Sequence, residues 1–100
     1  MALTKARHTG APPANFAATI VSQVAVAARP GRNYCCIQND SAVVVYIALG
    51  APAVVGSGIR LNANGGSYEI NYTNLFTGAI YAIHAGVGNQ NICIQEGYGG

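Results

Sequence analysis

The chain has 100 residues, of which 51% are apolar in type, 8% are charged and 13 are glycine, and its net charge is +2. That length is one domain, and a charged fraction well under the roughly 25% of ordinary soluble domains leaves too few cations for a basic nucleic-acid-binding face. It describes a neutral, Gly-rich β protein, or more sharply one whose outer faces are buried against partners, because low net charge favours association.

Residues 1–16 show no alternation. They carry Lys5, Arg7 and His8, then Gly10 and the pair Pro12-Pro13 ahead of Phe16. Adjacent prolines favour extended polyproline geometry. The stretch is expected to be an extended N-terminal arm, either frayed or docked on a neighbour, preceding one β-sandwich domain over 17–100. Its basic residues are followed by no apolar core of signal-peptide length, so no export signal is expected.

From Thr19 the pattern is periodic. Ile20, Ser22, Val24, Val26 and Ala28 alternate with Val21, Gln23, Ala25 and Ala27. Phe16, Ile20 and Val24 also fit helical spacing, but the β-branched residues and the following Arg29-Pro30-Gly31 favour a strand. Residues 32–39 form the next strand, and Asn39-Asp40-Ser41 supplies a turn. Residues 43–49 are apolar on both faces. Residues 34–49 are therefore expected to be a β-hairpin at the centre of the sandwich. One face would carry Val43, Val45 and Ile47, and the other Val44, Tyr46 and Ala48. One set closes the core. The other is covered by a neighbouring molecule or by the apolar loop over 50–58, and which set faces inward is open.

Residues 58–62 read as a short strand. Asn64-Gly65 is a strong turn signal. Residues 67–72 alternate, 74–78 form a loop, and 79–85 place Tyr81 and Ile83 opposite Ile80, Ala82 and His84. A turn over 86–91 leads to a last strand at 91–96 and a loose Gly-rich tail. About seven strands with turn signals every 8–12 residues indicate an all-β chain forming a single antiparallel β-sandwich, jelly-roll or Ig-like.

The chemistry-bearing residues form no constellation. Cys35 and Cys36 are adjacent, so a strand points them to opposite faces. With Cys93 they make an odd count, which argues against a disulfide framework. His8 and His84 lack ligand spacing, so no metal site is expected. Asp40, Glu69 and Glu96 sit in or beside three different strands, the serines lack a nucleophile elbow, and Gly86-Val87-Gly88 lacks the rest of a phosphate loop. No catalytic residue, no cofactor and no enzyme activity is expected. The apolar run over 42–56 contains Pro52 and is shorter than the roughly 18–20 residues of a spanning helix, so no membrane partner is expected either.

One ordered set of motifs goes further. Arg32 through Ile37 to Asn39 is followed by an apolar strand with Tyr46 and Gly50. Then come Gly58-Ile59-x-Leu61, Gly65-Gly66-Ser67-Tyr68-Glu69, Gly78-Ala79-Ile80-Tyr81-Ala82-Ile83 and a terminal strand ending at Glu96. Over residues 19–97 this resembles the small β-sandwich virion proteins of tailed bacteriophages, found as capsid decoration (cement) proteins or on head fibres and spikes. The resemblance implies a structural protein of the virion that is made in the host cytoplasm, sits on the capsid exterior, binds the major capsid protein and stabilises the shell. It also implies a homo-oligomer, trimer or dimer, with no nucleic-acid partner. The alternative is a host-surface binding module for carbohydrate or receptor, on a phage fibre or spike, for which Tyr72 within residues 69–74 is the exposed-looking aromatic. The residues expected to meet the capsid or a partner are Lys5, Arg7, Pro12, Pro13 and Phe16 of the arm, with Val44 and Tyr46 of the apolar strand.

Overall fold

The computed structural model describes residues 9–99. The described residues form nine strands and no helix: β1 (Thr9–Gly10), β2 (Ala14–Ala18), β3 (Gln23–Val26), β4 (Arg32–Asn39), β5 (Val45–Leu49), β6 (Ile59–Leu61), β7 (Ser67–Ile70), β8 (Ile80–His84) and β9 (Gln90–Tyr98). All pairings are antiparallel. One sheet has the order β2-β9-β4-β7, with the short β1 continuing β2 along the same edge of β9, and the other has the order β3-β8-β5-β6.

The order follows a single rule. β2 pairs with β9, β3 with β8, β4 with β7 and β5 with β6. The chain is thus one long nested hairpin. Rolling it up adds the β4·β9 and β5·β8 ladders that complete each sheet. Eight strands in this order are a jelly roll, so the expected antiparallel sandwich is present in its jelly-roll form. Each inward row supplies the core. Ile37 and Ile92 from one sheet and Ile47, Val45, Ile80 and Leu61 from the other are all fully buried. Each such side chain contributes about 1.5–3 kcal/mol on leaving water.

Three expectations need correction. Residues 34–49 are not a hairpin, because β4 and β5 lie in different sheets. Both edges of β4 are already taken by β7 and β9, so residues 40–44 cross between the layers. The strand expected from Thr19 onward is broken. Residues 14–18 belong to one sheet, 23–26 to the other, and 19–22 make the corner. There the Thr19 hydroxyl accepts the Val21 amide at 3.2 Å, and the Thr19 carbonyl accepts the His84 amide at 3.1 Å. Finally, the stretch expected as an arm is partly sheet. Thr9–Gly10 and Ala14–Ala18 are registered on β9, and Phe16 packs against the core. Removal of residues through 16 would strip most of β2.

Two polar ties hold the ends of the sandwich, and both use residues of the motif set. At one end Arg32 is 1% exposed. Its Nε donates to Glu96 Oε2 at 2.8 Å, one terminal nitrogen donates to the carbonyls of Phe76 (3.2 Å) and Gly78 (2.8 Å), and the other donates to the carbonyl of Ala27. This one side chain joins β4 and β9 to the chain leaving β3 and the chain entering β8. Gly50 and Gly78 flank the Phe76 ring beside it, and a Cβ on Gly78 would stand 2.7 Å from that ring.

At the other end of β4, Asn39 is fully buried. Its Nδ2 donates to the carbonyls of Val43 (2.7 Å), Leu61 (3.0 Å) and Asn62 (3.2 Å), and its Oδ1 accepts the Ser41 hydroxyl at 2.6 Å. The tight β6–β7 turn it grips requires glycine at 66, where a Cβ would meet the Asn62 nitrogen at 2.3 Å. Arg32 and Asn39 are seven residues apart, which in a regular strand puts them on opposite faces. A bulge in the β4·β9 register between Arg32 and Tyr34 restores the phase, so both point inward.

These ties set the expected cost of losing them. Arg32→Met takes from Glu96 its hydrogen-bonded partner and leaves three carbonyls without their donor. Breaking a buried ion pair from one side costs about 3–5 kcal/mol. Asn39→Ala orphans buried carbonyls at about 1–3 kcal/mol. Urea unfolding of the two variants should rank them in that order, and an Arg32→Met protein as stable as the parent would contradict the assignment.

Candidate interaction surfaces

The chemistry-bearing side chains are dispersed. His84 is fully buried; its Nδ1 accepts the Gly86 amide at 3.0 Å and its Nε2 lies 2.8 Å from the Gly88 carbonyl. The ring therefore carries its proton on Nε2 and fastens the β8–β9 loop. Asp40, Glu69 and Glu96 remain apart in the fold. Glu96 is held by Arg32, with Arg29 3.9 Å from its second oxygen. The Tyr34 phenol is pushed from 10.0 to about 12, first by its hydrogen bond to Glu69. Among the described residues no cluster of three or more His, Cys, Asp or Glu is placed to hold a metal.

The cysteines divide as strand geometry requires. Cys35 faces the core and is fully buried, while Cys36 and Cys93 are partly exposed on the outer face of the β2-β9-β4-β7 sheet; all three are free thiols. Cys36 stands opposite Gln95 and Cys93 opposite Gln38, so the two thiols are diagonal neighbours on adjacent strands. They line a shallow depression of about 210 Å³ with Pro13, Asn15, Gln38 and Gln95. Burial pushes the Cys36 thiol up, with the Glu69 charge adding to it. Burial pushes Cys35 from 9.0 to about 12.

The expected partner-binding residues fall in separate places. Lys5 and Arg7 lie outside the described residues. Pro12 and Pro13 are exposed, and Pro13 borders the thiol depression. Phe16 is half-buried, opposite Ile92, and its ring serves the core. Val44 and Tyr46 are half-buried on the outer face of the β3-β8-β5-β6 sheet, while Val45 and Ile47 are fully buried, which assigns the core face. On that outer face Tyr46 stands between Ile83 and Arg60, and Ala48 is next to Tyr81, which is next to Val24.

Part of the cover comes from the chain itself. Ser22 precedes Gln23, whose register partner is the inward Ala82, so Ser22 lies on the outward side. Its hydroxyl accepts the Ala53 amide at 2.7 Å, and Ala53 is only 5% exposed. The loop over 50–58 therefore leans across the outer face toward β3. The feature that sequence reading missed is what this leaves outside: Ile20, Val21, Val24, Val54 and Val55 are exposed by 61%, 63%, 43%, 59% and 42%. They gather around the Ser22–Ala53 contact.

Comparison with protein-family models, with curated proteins and with solved structures finds no match for the chain.

Two outcomes follow. Val45→Asp puts a carboxylate in the core, at a cost of several kcal/mol, and should abolish folding; Val44→Asp on the half-exposed face should leave the circular-dichroism spectrum and melting curve close to the parent's. For the thiols, the unfolded chain releases the Cys35 proton near 9.0 and the folded chain near 12. The folded state thus holds a proton that the unfolded state has lost, and stability is full below pH 9 and declines as pH rises toward 12. The urea midpoint should be level from pH 7 to 9 and fall above it, with a shallower fall in Cys35→Val. At pH 8 a thiol reagent should leave Cys35 unmodified until the protein unfolds.

Proposed function

We propose that the chain is a structural protein of a tailed-bacteriophage virion, a decoration (cement) protein that binds the major capsid protein on the outside of the shell and stabilises it. The observation that carries this reading is where the motif residues go. Arg32, Asn39, Gly50, Gly66, Gly78 and Glu96 are spent on the two end ties and their turns. The shared pattern is thus a pattern of construction, and the surface it leaves is neutral and in part apolar. The jelly roll supports the reading at the level of analogy, since viral capsid proteins and lectins both use it.

The test is reconstitution. Particles from a phage lacking the gene would be mixed with purified protein, sedimented and heated. Binding should saturate at a fixed ratio to the major capsid protein and raise the temperature at which the genome escapes. Particles that bind none, or carry it only on the tail, would overturn the proposal.

A second reading has its own observation. The loop after β7 is braced by Asn71 Oδ1, which accepts the Thr73 amide (2.9 Å) and hydroxyl (2.7 Å), and by Asn74, whose Nδ2 donates to the Glu69 carbonyl at 2.9 Å. It presents Tyr72 at 60% exposure, an aromatic platform of the kind a sugar ring stacks on. Binding to host-surface glycans that is lost in Tyr72→Ala and retained in Leu75→Ala would favour a host-binding module instead.

A further inference from the structure

We infer that two copies of this chain join about a two-fold axis through β3, with the Ile20, Val21, Val24, Val54 and Val55 patch packed against its own copy. This deepens the structural-protein reading by naming the surface through which copies meet, and its test uses the isolated protein, so it can fail or succeed without the particle experiment.

Four sheet edges are available in a jelly roll, and three are blunted. β6 is three residues long and carries Arg60, β7 carries Glu69, and β2 is preceded by Pro12-Pro13. Short length, charge, proline and β-bulges are the usual means of discouraging strand addition. Among the described residues β3 pairs only with β8 and ends its sheet. Its four residues, Gln23–Val26, have neither charge nor proline. Its one irregularity is the register shift between Val24 and Val26. Pairing is confined to the side of the shift where the exposed aliphatics lie.

The corner beside this edge is costly for a lone molecule. Thr19 fixes a turn, a position where polar residues or glycine are usual, yet the turn holds Ile20 and Val21 out in water. The Ser22–Ala53 hydrogen bond brings Val54 and Val55 alongside them. Five such side chains expose on the order of several hundred Å², the size of the largest apolar patch on an ordinary monomer, about 300–600 Å². The strand edge and the polar residues around the patch extend it toward the roughly 800 Å² per partner of a stable interface.

The patch contains no charged residue, so its own copy meets no like charge. Antiparallel edge pairing is compatible with a two-fold axis, which places the same patch on both sides. A charged partner would find nothing to pair with there.

Sedimentation velocity over a dilution series of about three decades below millimolar tests the inference on four proteins: parent, Val24→Lys, Val54→Lys and Leu75→Lys. The parent should be a dimer that dissociates on dilution. Either lysine in the patch should raise the dissociation constant at least tenfold, with the melting temperature unchanged at concentrations where parent and variant are both monomeric. Leu75→Lys, an exposed aliphatic in the β7–β8 loop, should leave the dimer intact. Should Val24→Lys fail to fold, Val54→Lys in the loop decides. A parent that stays monomeric throughout, an odd-numbered oligomer, or a dimer that survives both patch substitutions would overturn the two-fold interface.

Discussion

The guanidinium of Arg32 is the interaction on which the rest of this fold depends. A β-sandwich is held along its length by ladders and side-chain burial, but its ends are loops, and loops fray. Here one buried cation gathers four separate segments at one end: β4 itself, the β9 carboxylate Glu96, the carbonyl of Ala27 after β3, and the carbonyls of Phe76 and Gly78 before β8. The planar fork of an arginine can serve so many acceptors at once, where a lysine ammonium could not. Around it Arg29 lies over the Tyr98 ring, 4.3 Å from its centre. Asn39 does the equivalent work at the other end with an uncharged amide, at lower desolvation cost.

The nested-hairpin topology explains why the ties sit on β4. In the jelly roll β4 and β9 are the interior strands of one sheet, and both ends of β4 lead to crossings between the sheets. Those crossings are the points where the two layers could slide or open. Placing a buried polar residue at each makes the crossing specific, because every carbonyl satisfied by Arg32 or Asn39 would be left without a donor in another register. The bulge after Arg32 is part of the same device, since without it one of the two residues would point to solvent.

Much of the fold was legible in the sequence. Turn signals at Asn64-Gly65 and at 86–91, alternation in 80–84, and the opposed Cys35 and Cys36 led directly to strands and to the division of their residues between two faces, while which face turns inward was left to the structure. The corner at 19–22 was invisible because Thr-Ile-Val-Ser carries none of the glycine, proline or asparagine that marks a turn, so alternation ran straight through it. The hairpin expected over 34–49 failed for a different reason. A short polar turn between two apolar strands is compatible with return in the same sheet or passage to the other, and the choice was made by β7 and β9, distant in sequence, occupying both edges of β4. For the surfaces, the apolar outer side of β5 was legible, but the loop leaning over it and the aliphatic patch beside β3 depend on one hydrogen bond from the Ala53 amide to the Ser22 hydroxyl that no local pattern announces.

With both ties in place, the ends of this sandwich should be as firmly fixed as its middle. Amide hydrogen exchange on the native protein measures this residue by residue. The amides of Arg29, Gly50, Asn39, Gly65 and Gly66, each hydrogen-bonded at one of the two ends, should exchange only through global unfolding. Their rate should match that of Ile37 at the centre, and the Arg32 Nε proton should be similarly protected. If those end amides exchange orders of magnitude faster than Ile37 while the core stays closed, the two ties do not hold the fold.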